Sequence, residues 1–313
     1  MAETTYKKLP LTSSGTLMDN DIPVIQSPDD TVIISFPKHG KTMAMVNQPN
    51  ILIGDADPEK GTRYFNAKNS VSLLTHEGAD EYVKLKNGAF VPAGIHETVS
   101  ELYKANQMKI YWELRNKMES RISVDEKKVI YKDLLAHIQG IPFPIFVVDT
   151  VTSLQELNWG AALAEYNTRF PTKQKTDIKK VDDFGGSQYI RANFMAIKAF
   201  IEQNAAPFKI WTGHIKEKKK ILVKEQTELS VADMALEGQL GTIFTSRAHA
   251  VCTFYRNDKG CYLDFTKKDE TDFGSRPLHL SNKIIKIADI IKEGEQYPVT
   301  HWDLVYPELN WKK

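Results

Sequence analysis

The segment TVIISFPKHGKTMAMVNQPNILIGDAD, from Thr31 to Asp57, contains the pattern that decides the fold. Its β-branched start, Thr31–Ser35, predicts a strand, and the residues Phe36–Gly40 predict a tight turn after it. Gly-Lys-Thr then opens a short predicted helix at Lys41, and Ile51–Gly54 predicts a second strand. A strand, a Gly-Lys-Thr turn and a helix N-terminus in this order are typical of a loop that binds phosphate.

The residue types in this turn match the chemistry of a nucleoside triphosphate. Gly40 lets the backbone approach the phosphates, Lys41 is placed to reach the β and γ oxygens, and Thr42 carries a hydroxyl for Mg²⁺. The usual pattern is G-x-x-x-x-G-K-[ST], and this chain has Ser35 in place of the first Gly. The alternative is a surface turn with a solvated lysine. The predicted nucleotide-binding residues are Ser35, Phe36, Pro37, Lys38, His39, Gly40, Lys41, Thr42 and Met43.

Acidic residues follow the second predicted strand directly. In open α/β sheets, ligands lie at the carboxyl ends of the strands, where a carboxylate orients or deprotonates an attacking water. Of Asp55, Asp57 and Glu59, we expect Asp57 to be the catalytic acid and Glu59 to be the second choice. The alternative is that these acids only cap the next turn.

A further strand signal is PIFVVDT, at Pro144–Thr150. A nearly continuous apolar run that ends in an acid is typical of a buried parallel strand that brings a carboxylate to the sheet edge. After a phosphate-binding turn, this pattern indicates a Walker B strand. Asp149 is therefore expected to hold Mg²⁺ together with Thr42, usually through water. The alternative for Asp149 is a helix cap.

Another polar group, His214, follows the predicted strand Phe208–Gly213. Beside the Walker B strand, a polar side chain in this place is well positioned to sense the γ-phosphate. A structural histidine with satisfied hydrogen bonds is the alternative.

Two lysine-rich segments are predicted to be loops. The first lies within Trp159–Gly186, and the second is Lys216–Lys224, with the sequence KEKKKILVK. Lysines beside neighbouring strand ends suit the backbone of a single-stranded nucleic acid, and a solvated surface is the alternative. The lysines predicted to contact nucleic acid are Lys173, Lys175, Lys179, Lys180, Lys216, Lys218, Lys219 and Lys220.

The composition is that of an ordinary globular protein. The chain has 313 residues, of which 42% are hydrophobic and 26% charged, and its net charge of +1 confines nucleic-acid contacts to local basic patches. Its two cysteines, Cys252 and Cys261, predict no disulfide framework. No run reaches transmembrane length and no apolar signal segment opens the chain. We therefore expect no membrane contact and a cytoplasmic location, in the host cytoplasm if the protein is viral.

The remaining patterns divide the chain into three parts. Residues 1–30 are polar and turn-rich and are predicted to be an N-terminal arm. Residues 31–282 are predicted to be one α/β domain, in which 84–135 is a helical insertion with an amphipathic helix at His96–Lys117. Residues 283–313 are predicted to be a C-terminal helix and a tail that packs down.

Three further elements follow from local periodicity. Gln188–Gln203 has apolar residues at helical spacing and predicts a helix. Ala248–Tyr255 and Gly260–Phe265 predict a hairpin around an Asn-Asp-Lys-Gly turn. Ile284–Ile291 predicts a short amphipathic helix.

The order of these segments resembles one known family. The segments are the Gly-Lys-Thr turn, an early break at Pro49 followed by ILIGDAD, then VVDT, FGGSQYIRANFMAIKAFI, KIWTGHIKEK and a late GSRPL. Together they resemble the phage RecA-like P-loop ATPases of the Sak4 type, which are related to the RecA/RadA core. The resemblance covers residues 30 to 280.

The resemblance implies a RecA-like P-loop NTPase core, in which helices flank a mostly parallel central sheet. It implies that ATP binds with Mg²⁺ at the strand ends, often at a subunit interface, and is hydrolysed in phage recombination or replication. The implied partners are single-stranded DNA, a single-strand-binding or annealing protein, and further copies of the chain as a homo-oligomer.

Residue roles also follow from the resemblance, position by position. Arg276 is implied to be a finger that acts on the nucleotide of a neighbouring subunit, with Lys267 and Lys268 as rivals. The segments 155–187 and 216–242 correspond to the two loops that face DNA. The other implied roles are phosphate and Mg²⁺ binding for Lys41 and Thr42, the catalytic acid for Asp57, the Walker B acid for Asp149 and the γ-phosphate sensor for His214.

Three features depart from the family pattern. Ser35 replaces a glycine, Asp57 replaces the usual Glu and is one methylene shorter, and 84–135 is longer and more helical than the minimal core. The first two departures motivate an alternative function, a nucleotide-binding assembly or scaffold protein with little hydrolysis. A helicase-type motor is a further alternative.

Overall fold

A ten-stranded sheet is the centre of the computed structural model, which describes residues 10–12, 15–16, 22–57, 61–74, 81–181, 185–222, 227–266 and 274–311. The strands are β1 (Pro10–Thr12), β2 (Gly15–Thr16), β3 (Asp30–Ser35), β4 (Ile51–Asp55), β5 (Ser70–Ser72), β6 (Tyr82–Lys84), β7 (Phe90–Pro92), β8 (Ile145–Asp149), β9 (Phe208–Leu222), β10 (Thr227–Met234), β11 (Ala250–Asn257), β12 (Gly260–Asp264), β13 (Gly274–Ser275) and β14 (Ile284–Ala288). The α-helices are α1 (Ala93–Ala105), α2 (Met108–Glu119), α3 (Val124–Gly140), α4 (Val151–Arg169), α5 (Gly185–Asn204) and α6 (Leu240–Arg247).

The strand order in the central sheet is β14-β12-β11-β3-β9-β8-β4-β5, with β10 paired to β9 and β13 paired to β11. The strands from β11 to β5 in this order run parallel to one another, and β10, β12, β13 and β14 are antiparallel to their neighbours. The predicted α/β class, a mostly parallel central sheet flanked by helices, is confirmed. The predicted hairpin is also confirmed, as β11 and β12.

Alternation along the strands supplies a hydrophobic core on each face of the sheet. In β3, Ile33 faces one core, whereas Val32 and Ile34 face the other. Helices α2 and α3 and the buried Trp302 cover the first face, and α1, α4, α5 and α6 cover the second. Because both faces are covered, the central parallel strands read as nearly continuous apolar runs, as in β8.

The four central strands β3, β9, β8 and β4 bring their polar ends to one edge. The register pairs Ser35 with His214 and Asp55 with Asp149. Parallel strands that are neighbours in the sheet present their carboxyl ends together, which is where ligands bind in open α/β sheets. We call this side of the sheet the carboxyl edge and the opposite side the amino edge.

Two segments predicted to be loops are largely regular structure. Within the predicted loop Trp159–Gly186, α4 continues to Arg169, because Ala162 and Tyr166 pack on a third buried cluster. The predicted loop Lys216–Lys224 is wrong as well, because β9 continues to Leu222 and forms a hairpin with β10. The segment is a strand because its backbone pairs with β10, and the sequence of the segment alone does not reveal this pairing.

The predicted helix Ile284–Ile291 is wrong, since β14 pairs with β12 there. Ile285 and Ile287 face the core while Lys286 lies on the other side. The spacing of these apolar residues is therefore compatible with a strand as well as with a turn of helix. The predicted helix His96–Lys117 is interrupted at Gln107, whose φ is 47°, and becomes α1 and α2.

The predicted helix after Lys41 is reduced to consecutive turns. Ala44 N–H donates to Gly40 O at 3.1 Å and Val46 N–H donates to Thr42 O at 3.0 Å, as in a helix. Asn47 has a φ of 55° and ends this pattern, two residues before Pro49. The turn region therefore passes directly into β4.

The three predicted parts of the chain contact one another. Helix α1, from the 84–135 segment, and Trp302, from the C-terminal segment, belong to the two cores of the central sheet. Ser27, at the end of the 1–30 segment, donates its backbone N–H to Glu308 at 3.1 Å. Among the described residues, no helix is both long and apolar enough to cross a bilayer.

Candidate functional site

The Gly-Lys-Thr turn leaves the carboxyl end of β3 at the middle of the sheet. Gly40 has a φ of +95° and Lys38 a φ of 65°, so both residues adopt left-handed backbone conformations. Glycine adopts this conformation without steric cost, which explains the residue at position 40. Phe36 is 44% exposed and packs its ring 5.7 Å from His39, so the tip of the turn is open to solvent.

Lys41 is buried at the base of this turn, with 7% of its surface exposed. Its Nζ donates to Ser35 Oγ at 2.5 Å. Burial lowers the pKa of Lys41, and the negative charge of Asp149 opposes this shift. Among the described residues, no carboxylate lies within ion-pairing distance of Nζ, so the partner of this ammonium is a neutral hydroxyl.

Asp149 lies next to Thr42, although 107 positions separate them in the chain. Thr42 Oγ1 donates to Asp149 Oδ2 at 2.6 Å, and Thr212 Oγ1 donates to Asp149 Oδ1 at 2.5 Å. The two hydroxyls hold the carboxylate of β8 between the turn after β3 and strand β9. The sequence reasoning missed Thr212, because only the β8–β9 pairing places it beside the acid.

Asp55 is the other buried acid at the carboxyl edge, on the strand adjacent to Asp149. Its Oδ2 accepts from Thr62 Oγ1 at 2.5 Å and its Oδ1 accepts from Asp57 N–H at 2.9 Å. Burial raises the pKa of Asp55, the hydrogen bond from Thr62 opposes the rise, and the charge of Asp149 adds to it. The sequence reasoning favoured Asp57 over Asp55. Asp55 is the last residue of β4, and Asp57 follows it by two positions.

His214 completes the group. It lies beside Ser35 in the register of β9 and β3. Burial lowers the pKa of His214, the positive charge of Lys41 lowers it further, and the charges of Asp149 and Asp57 oppose the shift. His214 is therefore at the same edge of the sheet as Ser35 and feels the charges of Lys41, Asp149 and Asp57.

Arg276 is not near this group. Its backbone N–H donates to His249 O at 2.8 Å, one residue before β11, and so it lies at the amino edge. The length of β3 separates the two edges by roughly 16 Å, at ~3.3 Å per residue. Arg276 lines a cavity of about 1110 Å³ with Arg115 and His249. Within one chain it therefore does not reach the turn. Glu59, Lys267 and Lys268 lie outside the described residues.

The first lysine segment contacts the residues that follow β10. Lys179 Nζ donates to Glu237 Oε1 at 3.0 Å and lies 3.4 Å from the centre of the Trp159 ring. Glu237 follows β10, and its backbone N–H donates to Gln155 on α4 at 3.2 Å. Lys173 and Lys180 are exposed near Lys179, Lys175 is half-buried, and Lys216, Lys218, Lys219 and Lys220 lie in the backbone ladder of β9 and β10.

The described residues hold no cluster of three or more His, Cys, Asp or Glu side chains fit for a metal ion. At the carboxyl edge, Thr42 and Asp149 are two adjacent oxygen-bearing residues that could hold a cation. Mg²⁺ commonly binds in this way, with one or two carboxylates and otherwise water and phosphate oxygens.

Comparisons with known proteins find little. No protein-family model matches the chain, and no curated protein matches it. Among solved structures, the chain is similar to a KaiC-like protein from the hyperthermophilic archaeon Pyrococcus horikoshii OT3 at 10% identity and a TM-score of 0.32. The match covers 88% of this chain and 90% of that chain. The fold assignment therefore depends on the sheet order and on the place of the turn within it.

Proposed function

We propose that the chain is a P-loop ATPase that binds ATP and Mg²⁺ at the turn Ser35–Met43 and hydrolyses the γ-phosphate. The observation that carries the proposal is the 2.6 Å hydrogen bond between Thr42 and Asp149, with Lys41 beside them. This is the arrangement of lysine, hydroxyl and acid that a triphosphate with Mg²⁺ needs.

The residues present fit both groups. The ammonium of Lys41 is buried against a hydroxyl and gains a full counter-charge from a phosphate. Thr42 and Asp149 offer the hard oxygen ligands that Mg²⁺ prefers. When bound, the ion would neutralise charge on the phosphate oxygens.

The acids at the end of β4 have different roles in this proposal. Asp55 has both carboxylate oxygens engaged, and its bond to Asp57 N–H fixes the segment that carries Asp57. Asp57 then orients a water and accepts its proton as the water oxygen attacks the γ-phosphorus. The bond to the bridging oxygen breaks, and ADP and phosphate leave. His214, close to Lys41 and Asp57, is the polar group that contacts the γ-phosphate.

Action on single-stranded DNA is a further part of the proposal. The resemblance to phage RecA-like ATPases supports it, as do the exposed Lys173 and Lys180 near Lys179. The β9–β10 hairpin begins at His214, so a change at the phosphate has a short path to the lysines of β9. We further propose a role in phage recombination or replication, with a single-strand-binding or annealing protein as a partner.

The position of Arg276 also bears on self-association. Because it lies at the amino edge, it serves a nucleotide only if a neighbouring copy places that edge against the turn. We therefore propose a homo-oligomer in which Arg276 of one copy faces the carboxyl edge of the next.

The test is the rate of ATP hydrolysis as a function of single-stranded DNA concentration at low and high salt. We expect DNA to raise the rate, and the effect to fall steeply with salt, because phosphate contacts release counterions. Lys41→Ala should abolish hydrolysis, whereas Lys128→Ala, an exposed lysine on α3, is the matched control. Wild-type protein that hydrolyses no ATP with or without DNA contradicts the proposal.

A second candidate is a nucleotide-binding scaffold with little hydrolysis. The short side chain of Asp57 and the hydroxyl partner of Lys41 favour it, since both depart from the usual pattern. Tight ATP binding with negligible turnover that Asp57→Ala does not change would favour this candidate over the ATPase.

A further inference from the structure

The cavity of about 1110 Å³ at the amino edge has a wall of aliphatic side chains. Leu134 belongs to the first core, and Ile25 and Met118 pack against that core, so the packing of the fold fixes this part of the wall. Two further lining residues, Val24 and Leu278, are 69% and 87% exposed. A cavity of this size with apolar walls has the character of a site for a small molecule.

Two hydrogen-bond donors lie next to each other in the same lining. The hydrogen bond from Arg276 N–H to His249 O continues the register of β11 and β13 by one residue. The two side chains therefore share a face, with their Cβ atoms ~5 Å apart. Asp29 N–H donates to His249 Nδ1 at 3.2 Å, so the neutral ring carries its proton on Nε2, which has no acceptor among the described residues.

Arg276 also differs from the other arginine of the lining in its charge balance. Arg115 donates to the two carboxylate oxygens of Asp29 at 3.1 and 2.9 Å, and to Glu119 Oε1 at 3.0 Å. Its charge is thus matched within the fold. Arg276 is exposed and forms no ion pair with any described residue, so its guanidinium is able to hold an anion.

We propose that this cavity binds an aliphatic carboxylic acid, whose carboxylate meets Arg276 and the Nε2–H of His249 and whose chain lies along the aliphatic wall. A guanidinium presents N–H groups in one plane, and a carboxylate offers two oxygens to match them. Each methylene group that leaves water adds to the affinity. The inference goes beyond the proposed ATPase and needs neither the nucleotide site nor the contact of Arg276 with a neighbouring copy.

The test is calorimetric titration of the full chain without nucleotide, using octanoate, 1-octanol and butyrate. Octanoate has both the chain and the carboxylate, octanol has the chain alone, and butyrate has the carboxylate on a short chain. We expect octanoate to bind at millimolar concentration or below. Octanol should bind ~10-fold more weakly, because the charge-assisted hydrogen bond is lost. Butyrate should bind ~100-fold more weakly than octanoate, because it buries fewer methylene groups.

The decisive variant is Arg276→Gln, at an exposed position where the fold is insensitive to the change. It should weaken octanoate binding ~10-fold and leave octanol binding unchanged, whereas a merely structural arginine would affect both ligands alike. The matched control is Arg256→Gln. Arg256 is also exposed, on β11, and does not line the cavity, so this variant should bind octanoate as the wild type does.

A second variant tests the wall. Leu278→Asp places a carboxylate in the lining at a position that is 87% exposed, outside the core. It should weaken the binding of octanoate and of octanol several-fold, because the chain then meets a charged group.

Three results overturn the inference: equal octanoate binding by the wild type and Arg276→Gln, equal weakening by Arg256→Gln and Arg276→Gln, or no binding of octanoate by the wild type at millimolar concentration. Nucleotide is absent from every titration. A failure here therefore leaves the proposed ATPase standing, and a chain that hydrolyses no ATP leaves this result standing.

Discussion

Three lysines are buried among the described residues, and two of them, Lys41 at the carboxyl edge and Lys198 at the amino edge, differ in their surroundings; the third is Lys209. Lys198 on α5, 4% exposed, forms an ion pair with Glu202 and lies 5.4 Å from the ring centre of Trp211 and 5.0 Å from that of Phe244. Lys41, 7% exposed, has a hydroxyl as its partner. Burial lowers the pKa of both amines, in the case of Lys198 to about 8.

The partners of the two ammonium groups indicate which lysine has a structural role and which could bind an anionic ligand. A buried ammonium with a carboxylate and two aromatic faces is satisfied within the fold. A buried ammonium held by a hydroxyl beside an open turn still gains from a charge-assisted bond to an anion. From this contrast we expect Lys41 to be the functional lysine and Lys198 a structural one, and the predictions below compare the two edges.

The largest expected effect is on hydrolysis. Lys41→Met should lower the rate of ATP hydrolysis by ~10²–10³-fold or more, because one charged donor to the reacting phosphate is lost. Lys198→Met should leave the rate close to that of the wild type, measured by phosphate release. Equal losses in the two variants would remove the contrast between the edges.

The next effect is on stability at the amino edge. Glu202→Ala leaves Lys198 buried without its carboxylate and should lower the free energy of unfolding by ~2 kcal/mol, measured in denaturant. Glu202 is partly exposed, so this value lies below that of a fully buried pair. In the Lys198→Met background the same change should cost much less, and a full cost there would contradict the pairing.

A smaller effect is expected at the carboxyl edge. Thr212→Val removes the hydroxyl that donates to Asp149 Oδ1, and should weaken Mg²⁺-dependent nucleotide binding by ~10-fold with little change without the ion. Calorimetric titrations with and without Mg²⁺ measure the difference. Equal weakening under both conditions would place Thr212 outside the metal site.

The smallest effect is a pH dependence of stability from Lys198. The pKa in the folded protein is about 8 and the ordinary value is 10.5, so between these values the unfolded chain binds more protons. Stability should therefore rise with pH in this window, by ~1 kcal/mol between about pH 8 and pH 9. Lys198→Met should lack this rise in denaturant melts, and a falling curve for the wild type relative to the variant would reverse the sign.

Much of the fold could be predicted from local signals. The strand at Thr31–Ser35, the apolar run into Asp149 and the hairpin of β11 and β12 each carry their own pattern of β-branched or apolar residues and turn residues. The predicted helix Ile284–Ile291 failed because its apolar spacing fits both a helix turn and strand alternation. Pairing with β12 decided between them.

The candidate site also contains some residues that local sequence predicts and others that only strand pairing places. Gly40, Lys41, Thr42 and Asp149 were predicted from residue type and spacing, because a phosphate and a magnesium ion demand those groups. Thr212 was not predicted, since its contact with Asp149 exists only through the pairing of β8 with β9.

By itself, the sequence predicted the phosphate-binding chemistry, because the turn, the lysine and the strand-end acid are encoded within short segments. Only the tertiary structure decided that Asp55 is enclosed beside Asp149, that Arg276 lies at the far edge, and that Ser35 holds Lys41. Those facts depend on strand register and burial, which arise when distant segments pack together and water is excluded between them.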